Sequence, residues 1–175
     1  MTNAPNEPVL LRRDDGRVAI LTLNRPHAMN ALSGELIDAL QAEFDKLAKD
    51  KEIRCVIIEA KGRAFSSGHD LREVRSTDDY GFHFDLITRC SAMMMAIRRL
   101  PQPVIAKVHA IATAAGCQLV AACDLAVAAN DARFATVIAA KSRHIDRVPH
   151  SSRVPNAAQN SAHSAAGANV SATSR

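Results

Sequence analysis

Ala64-Phe65-Ser66-Ser67-Gly68-His69-Asp70-Leu71 and, 48 positions further from glycine to glycine, His109-Ala110-Ile111-Ala112-Thr113-Ala114-Ala115-Gly116-Cys117-Gln118 are the two stretches that decide how this chain folds. Each follows a short apolar, β-branched run: Cys55-Val56-Ile57-Ile58 before the first and Val104-Ile105-Ala106-Lys107-Val108 before the second. Such runs read as buried strands. Small residues at a strand exit let a ligand approach the backbone closely and leave amide N–H groups free to face a developing negative charge. Brought together, two such loops form a two-donor oxyanion site.

Working outward, Val9 to Arg13 and Val18 to Leu23 flank the turn Asp14-Asp15-Gly16, a hairpin signal. Ser33 is placed to cap a helix running to about Lys49, with Leu36, Ile37, Leu40, Phe44 and Leu47 on one face. A second helix is expected over 78–99, ended by Pro101 and Pro103, with a short helix over 115–122 and a strand over 125–129. Alternation of strands and helices predicts an α/β domain with helices against a sheet.

Five ordered segments carry a family resemblance. They are Thr22-Leu23-Asn24-Arg25-Pro26 with Asn30-Ala31-Leu32, the first loop, Pro101-Gln102-Pro103-Val104-Ile105-Ala106, Gly116-Cys117-Gln118-Leu119, and Cys123-Asp124. Through them the chain resembles the crotonase superfamily, which includes enoyl-CoA hydratases and isomerases, from about Val9 to Thr136. The resemblance implies a spiral of ββα units, an acyl-CoA substrate whose coenzyme A arrives as part of the thioester, no permanently bound cofactor, and a trimer-based homo-oligomer. It also implies that the thioester carbonyl is polarised by the backbone N–H groups of His69 and Ala115, with Gly68 and Gly116 beside them.

Other roles follow by position. Backbone groups around Ala64 and Ser66 are expected to meet the adenine, and Arg25 either reaches phosphate oxygens or is a solvated surface arginine. The His69 imidazole, titrating ordinarily near pH ~6.5, is able to act as a base; since the family uses the amide here, the side chain is read as structural or steric. Asp70 is expected to orient the loop or cap the following helix, and His109 to pack. Met93, Met94 and Met95 either line an acyl pocket or belong to the core. The hydratases of this family use two glutamates. The first position is Gln118 here, whose amide hydrogen-bonds but takes up no proton, and the second falls near Ile138. Hydratase turnover is therefore not expected of this chain, and a non-catalytic acyl-CoA-binding relative or a frameshifted inactive fragment is the alternative.

Composition sets the remaining limits. The 175 residues carry a net charge of +4. Residues 137–175 hold five Lys or Arg against one acid, with seven Ser, nine Ala and no Leu, Met, Phe, Tyr or Trp. The remaining basic and acidic residues balance, so the net charge resides in this segment. It is expected to be a disordered basic tail, unrelated to the family and resembling the product of a frameshift or a truncated end. A flexible segment over 1–8 and an acyl-CoA-binding core over 9–136 complete the expected organisation. Aromatic residues make up only 3% and no Trp is present, which argues against a base-stacking platform for nucleic acid. No run is long enough to span a bilayer, and residues 1–8 lack a secretory or import pattern, so the cytoplasm is expected, with mitochondria as the alternative. The four cysteines form no CxxC pair and are read as reduced, mostly buried thiols with no metal site.

Overall fold

The computed structural model describes residues 7–136. The expected disordered tail over 137–175, and most of the flexible segment expected over 1–8, lie outside the described residues.

Two sheets share one repeated chain path. β1 (Leu10–Asp15) and β2 (Val18–Leu23) form the antiparallel hairpin, turning at Gly16. β3 (Cys55–Ala60) pairs parallel with β2, and β5 (Val104–Val108) and β7 (Leu125–Ala128) continue the sheet in the order β1-β2-β3-β5-β7. A second sheet is built from β4 (Ala64–Ser66), β6 (Ile111–Thr113) and β8 (Phe134–Ala135), also parallel, in that order. Each of the pairs β3 and β4, β5 and β6, and β7 and β8 thus puts one strand in each sheet, and helices intervene between pairs. This is the expected spiral of ββα units. β4 and β6, inside stretches read as loops from the sequence, are too short for alternation to reveal.

α1 (Gly34–Leu47) starts where Ser33 Oγ accepts the Leu36 N–H at 3.3 Å. Its periodic face of Leu36, Ile37, Leu40, Phe44 and Leu47 is buried against the large sheet's Leu21, Leu23, Val56 and Ile58. Burying one such side chain contributes about 1.5–3 kcal/mol. α2 (Leu71–Val74) follows the first glycine loop, and α3 (Tyr80–Arg99), capped by Asp79, packs along α1. Met93 is buried in this core and Met94 packs against it, while Met95 is exposed. α4 (Ala115–Ala122) matches the expected short helix. Asp124 closes it onto the sheet by accepting the Val104 N–H at 2.8 Å. No helix among the described residues is long and apolar enough to cross a membrane.

Candidate functional site

Parallel neighbours emerge on the same side of a sheet. β4 and β6 are such neighbours, with Ala64 beside Ile111 and Ser66 beside Ala112. Their carboxyl ends therefore place Ser67-Gly68-His69 next to Ala114-Ala115, although the two glycines are 48 positions apart. The contact is close. Gly68 has φ +90°, and a methyl group on it would lie 2.8 Å from the Ala114 Cβ and 3.2 Å from both the Ala115 nitrogen and the Thr113 carbonyl oxygen. Gly116 makes the second close approach: a Cβ there would fall 2.5 Å from the Ser66 carbonyl oxygen and 2.7 Å from the Ser66 Cβ. Only hydrogen at both positions lets the loops meet.

The backbone around this contact is held from several sides. Leu32 bridges His69: the Leu32 N–H donates to the Gly68 carbonyl at 2.7 Å, and the Asp70 N–H to the Leu32 carbonyl at 3.1 Å. In a parallel bridge the central residue's own groups face away from the partner, so the His69 N–H is directed away from the Leu32 segment. Ala115 opens α4, where an N–H has no intrahelical acceptor. Among the described residues neither the His69 nor the Ala115 N–H meets a backbone acceptor. Ala114, just before, adopts φ 50° and ψ −125°, a strained conformation for a residue with a Cβ. It is over-determined by its N–H donating to Ala135 at 2.8 Å and its carbonyl accepting the Cys117 and Gln118 N–H groups. Two free donors, one at a helix N-terminus, can hold an anionic oxygen in this arrangement.

Ala64 and Ser66 are completely buried. The Ala64 carbonyl already accepts the Asn30 Nδ2 at 2.8 Å, and the Ser66 hydroxyl donates to the Asn30 carbonyl at 2.9 Å while accepting the Gly68 N–H at 3.3 Å. Arg25 is not a solvated surface cation. Its guanidinium donates to the Ala31 carbonyl at 2.6 Å and to Asp70 Oδ2 at 2.8 Å, and both side chains of this pair are largely buried. Asp70 does cap α2, accepting the Arg72 N–H at 3.1 Å. Burial alone raises its pKa, but the Arg25 hydrogen bond and the backbone donors outweigh that and hold the carboxyl below its ordinary value. Burial pushes the His69 imidazole below 6.5, against a smaller upward pull from Glu73. Gln118 is exposed, and His109 bonds the Gly62 carbonyl at 2.7 Å.

Asn30 is the organising residue that sequence reasoning quoted without assigning. It sits fully buried at φ 51°, where Asn is tolerated better than most residues. Its Oδ1 accepts the Arg25 N–H and its Nδ2 donates to the carbonyls of Lys61 and Ala64. An Asn five residues after an Arg-Pro strand exit is the one signal that was available. The cleft between α1 and α3, about 670 Å³ and lined by Phe44, Arg89, Met95 and Leu100 among others, includes no residue of the two loops.

Fold and loops together define the class. The chain belongs to the enoyl-CoA hydratase/isomerase family, whose model matches residues 13–155. That match runs past Thr136, where the resemblance read from the sequence ends. The chain is 44% identical over 131 residues to the mitochondrial enoyl-CoA hydratase domain-containing protein 3 of Xenopus laevis, covering 74% of this chain and 44% of that protein. It superposes on a crystal structure of enoyl-CoA hydratase from Mycobacterium smegmatis with TM-score 0.72 at 56% identity, covering 73% of this chain and 50% of that one. The human enoyl coenzyme A hydratase domain-containing protein 3 structure gives TM-score 0.71 at 41% identity, over 73% and 51%. The chain thus spans about half the length of the relatives it matches.

Proposed function

We propose that this chain binds acyl-CoA thioesters and polarises the thioester carbonyl between the N–H groups of His69 and Ala115. The observation that carries the reading is the contact of Gly68 with Ala114 and Ala115, which sets two donors without described acceptors side by side. Deprotonation at the α-carbon, or attack at the β-carbon, places negative charge on the carbonyl oxygen, and fixed donors stabilise that charge more than they stabilise the substrate. Hydration through paired carboxylates is not part of this reading: Gln118 stands at the first glutamate position and faces solvent. An acyl-CoA-binding role with little turnover is therefore favoured over a hydratase. The adenine is proposed to meet the backbone near Ala64 and Ser66. Since both guanidinium contacts of Arg25 are taken, any phosphate contact by it uses its remaining N–H groups. A trimer-based assembly is proposed from the family. The compartment is proposed as cytoplasm, with mitochondria, the compartment of the Xenopus laevis relative by its name, as the alternative.

The test is calorimetric titration of the full chain with crotonyl-CoA and with free coenzyme A, together with the thioester C=O stretch of the bound ligand. Tighter binding of the thioester and a lowered stretching frequency are expected, with slow or absent loss of the enoyl group. Equal affinities and an unshifted C=O band would sink the reading.

A further inference from the structure

We propose that the outer face of α3 is a self-association surface, on which a second copy of this chain lays its own α3 antiparallel. The starting point is a helix that is apolar on two opposite sides. Leu86, Cys90, Met93 and Ile97 are buried in the core. Tyr80, Phe84, Ile87 and Met95 lie on the other side and are 79%, 62%, 51% and 45% exposed. With the exposed Ser91 among them, they follow one another at steps of four, three, four and four residues. At about 3.6 residues per turn that spacing draws a single stripe along the helix. The Tyr80 and Phe84 rings stack with centroids 6.2 Å apart and form its broad end. Large apolar side chains gathered in one stripe, rather than scattered singly, mark a face that a partner covers. The stripe shares no residue with the two glycine loops.

Charge selects the partner. In the middle of α3 the Arg89 guanidinium is committed to Asp38 at 2.7 Å and to Asp85 at 2.8 Å. The ends of the helix stay charged, with opposite signs. Asp78 and Asp79 are exposed where it starts, and Arg98 and Arg99 are exposed where it stops, none of them in an ion pair among the described residues. Two copies laid parallel would set like charges together; laid antiparallel, each acidic end meets a basic one. The two helix dipoles then oppose each other as well. With Ile87 opposite Ser91 of the second copy, Phe84 comes level with Met95, Asp79 with Arg99, and Tyr80 with Arg98, whose guanidinium can stack on the ring. The small Ser91 lets the helices approach at the crossing. Such a contact uses the same patch twice and closes at two copies. A lipid surface would instead call for cations along the rim of the stripe, where this helix has Asp85 and the neutralised Arg89.

Sedimentation velocity of the full chain across the micromolar range tests this. Concentration-dependent association is expected, with a dissociation constant on the order of micromolar for an interface of one helix pair. Ile87→Lys, at an exposed position, should keep the wild-type urea midpoint, halve the particle mass and weaken association by about a hundredfold. Arg98→Glu combined with Arg99→Glu puts acid against Asp78 and Asp79 and should weaken it roughly fivefold; adding Asp78→Lys should recover part of that loss. Ser91→Cys, close to the two-fold axis, should be joined to its copy by a short bismaleimide beyond the wild-type background, a readout that needs neither charged variant to fold. A single mass at every concentration, association retained in folded Ile87→Lys, or no added cross-link in Ser91→Cys overturns the inference. So does a wild-type chain that stays monomeric and instead co-sediments with phosphatidylserine vesicles, which would make the stripe a lipid-facing surface. None of these outcomes bears on thioester binding, which is read by its own titration.

Discussion

Replacing Gly116 with Ala adds one methyl group where the structure has no room. The new Cβ would lie 2.5 Å from the Ser66 carbonyl oxygen, 2.7 Å from its Cβ and 2.8 Å from its Oγ. Non-bonded heavy atoms settle near 3.5–4.0 Å, so α4 and β4 must separate by about 1 Å. Ser66 cannot yield alone. It is completely buried, and its hydroxyl is tied to the Asn30 carbonyl and the Gly68 N–H. The displacement therefore reaches Gly68 and the donor beside it. Overpacking of this kind costs about 1–3 kcal/mol, offset by the roughly 1 kcal/mol that Ala gains over Gly inside a helix. A net loss of up to about 2 kcal/mol in urea unfolding is expected. Thioester binding should suffer more than stability, because the two donors no longer converge. Gly81→Ala in the first turn of α3 is the control: its Cβ would meet only the exposed side chain of Asp79, at 3.3 Å, and a gain of up to about 1 kcal/mol is expected. If Gly116→Ala unfolds at the wild-type midpoint and binds crotonyl-CoA as tightly, the closeness of the two loops is not what makes the site.

Three further outcomes are expected. Arg25→Ala removes the partner of the largely buried Asp70 and a donor to the Ala31 carbonyl, at a cost of about 2–4 kcal/mol by denaturant titration. Asp70 is held below 3.8 in the folded state, so its contribution is present above that value and lost as pH falls through the folded value; a variant as stable as wild type with an unchanged acid limb contradicts the clamp. His69 also titrates lower when folded than its ordinary 6.5, so the native state binds fewer protons and stability drops as pH falls from about 6.5 through the folded value; His69→Phe should remove that slope, and an identical slope in both proteins would show that His69 is not its source. Burial pushes the Cys90 thiol up to about 11 and, with Asp124, the Cys123 thiol up to about 12. Native alkylation by iodoacetamide, read by mass spectrometry, should therefore modify Cys55 and Cys117 first, with thiolate at Cys90 roughly 100-fold scarcer than at an ordinary cysteine; uniform labelling of all four would refute this.

Local order in this chain is written in the sequence. The Asp14-Asp15-Gly16 turn, the Ser33 cap with its periodic apolar face, the Cys55 and Val104 strands and the 115–122 helix each follow from residues within one element, because turn chemistry, capping and periodicity are short-range effects. The pair of glycine loops and the family they point to were legible for the same reason. Tertiary structure decided what depends on partners distant in sequence. β4 and β6 exist because they pair with each other and not because three residues favour a strand. Arg25 could not be told from a surface arginine until the fold set Asp70 and Ala31 beside it, and Asn30 became a hub only when Lys61, Ala64 and Ser66 closed around it. The approach of Gly68 to Ala114 and Ala115 belongs to that second kind: each loop is fixed locally, but only the parallel pairing of β4 with β6 brings two strand exits 48 residues apart into contact.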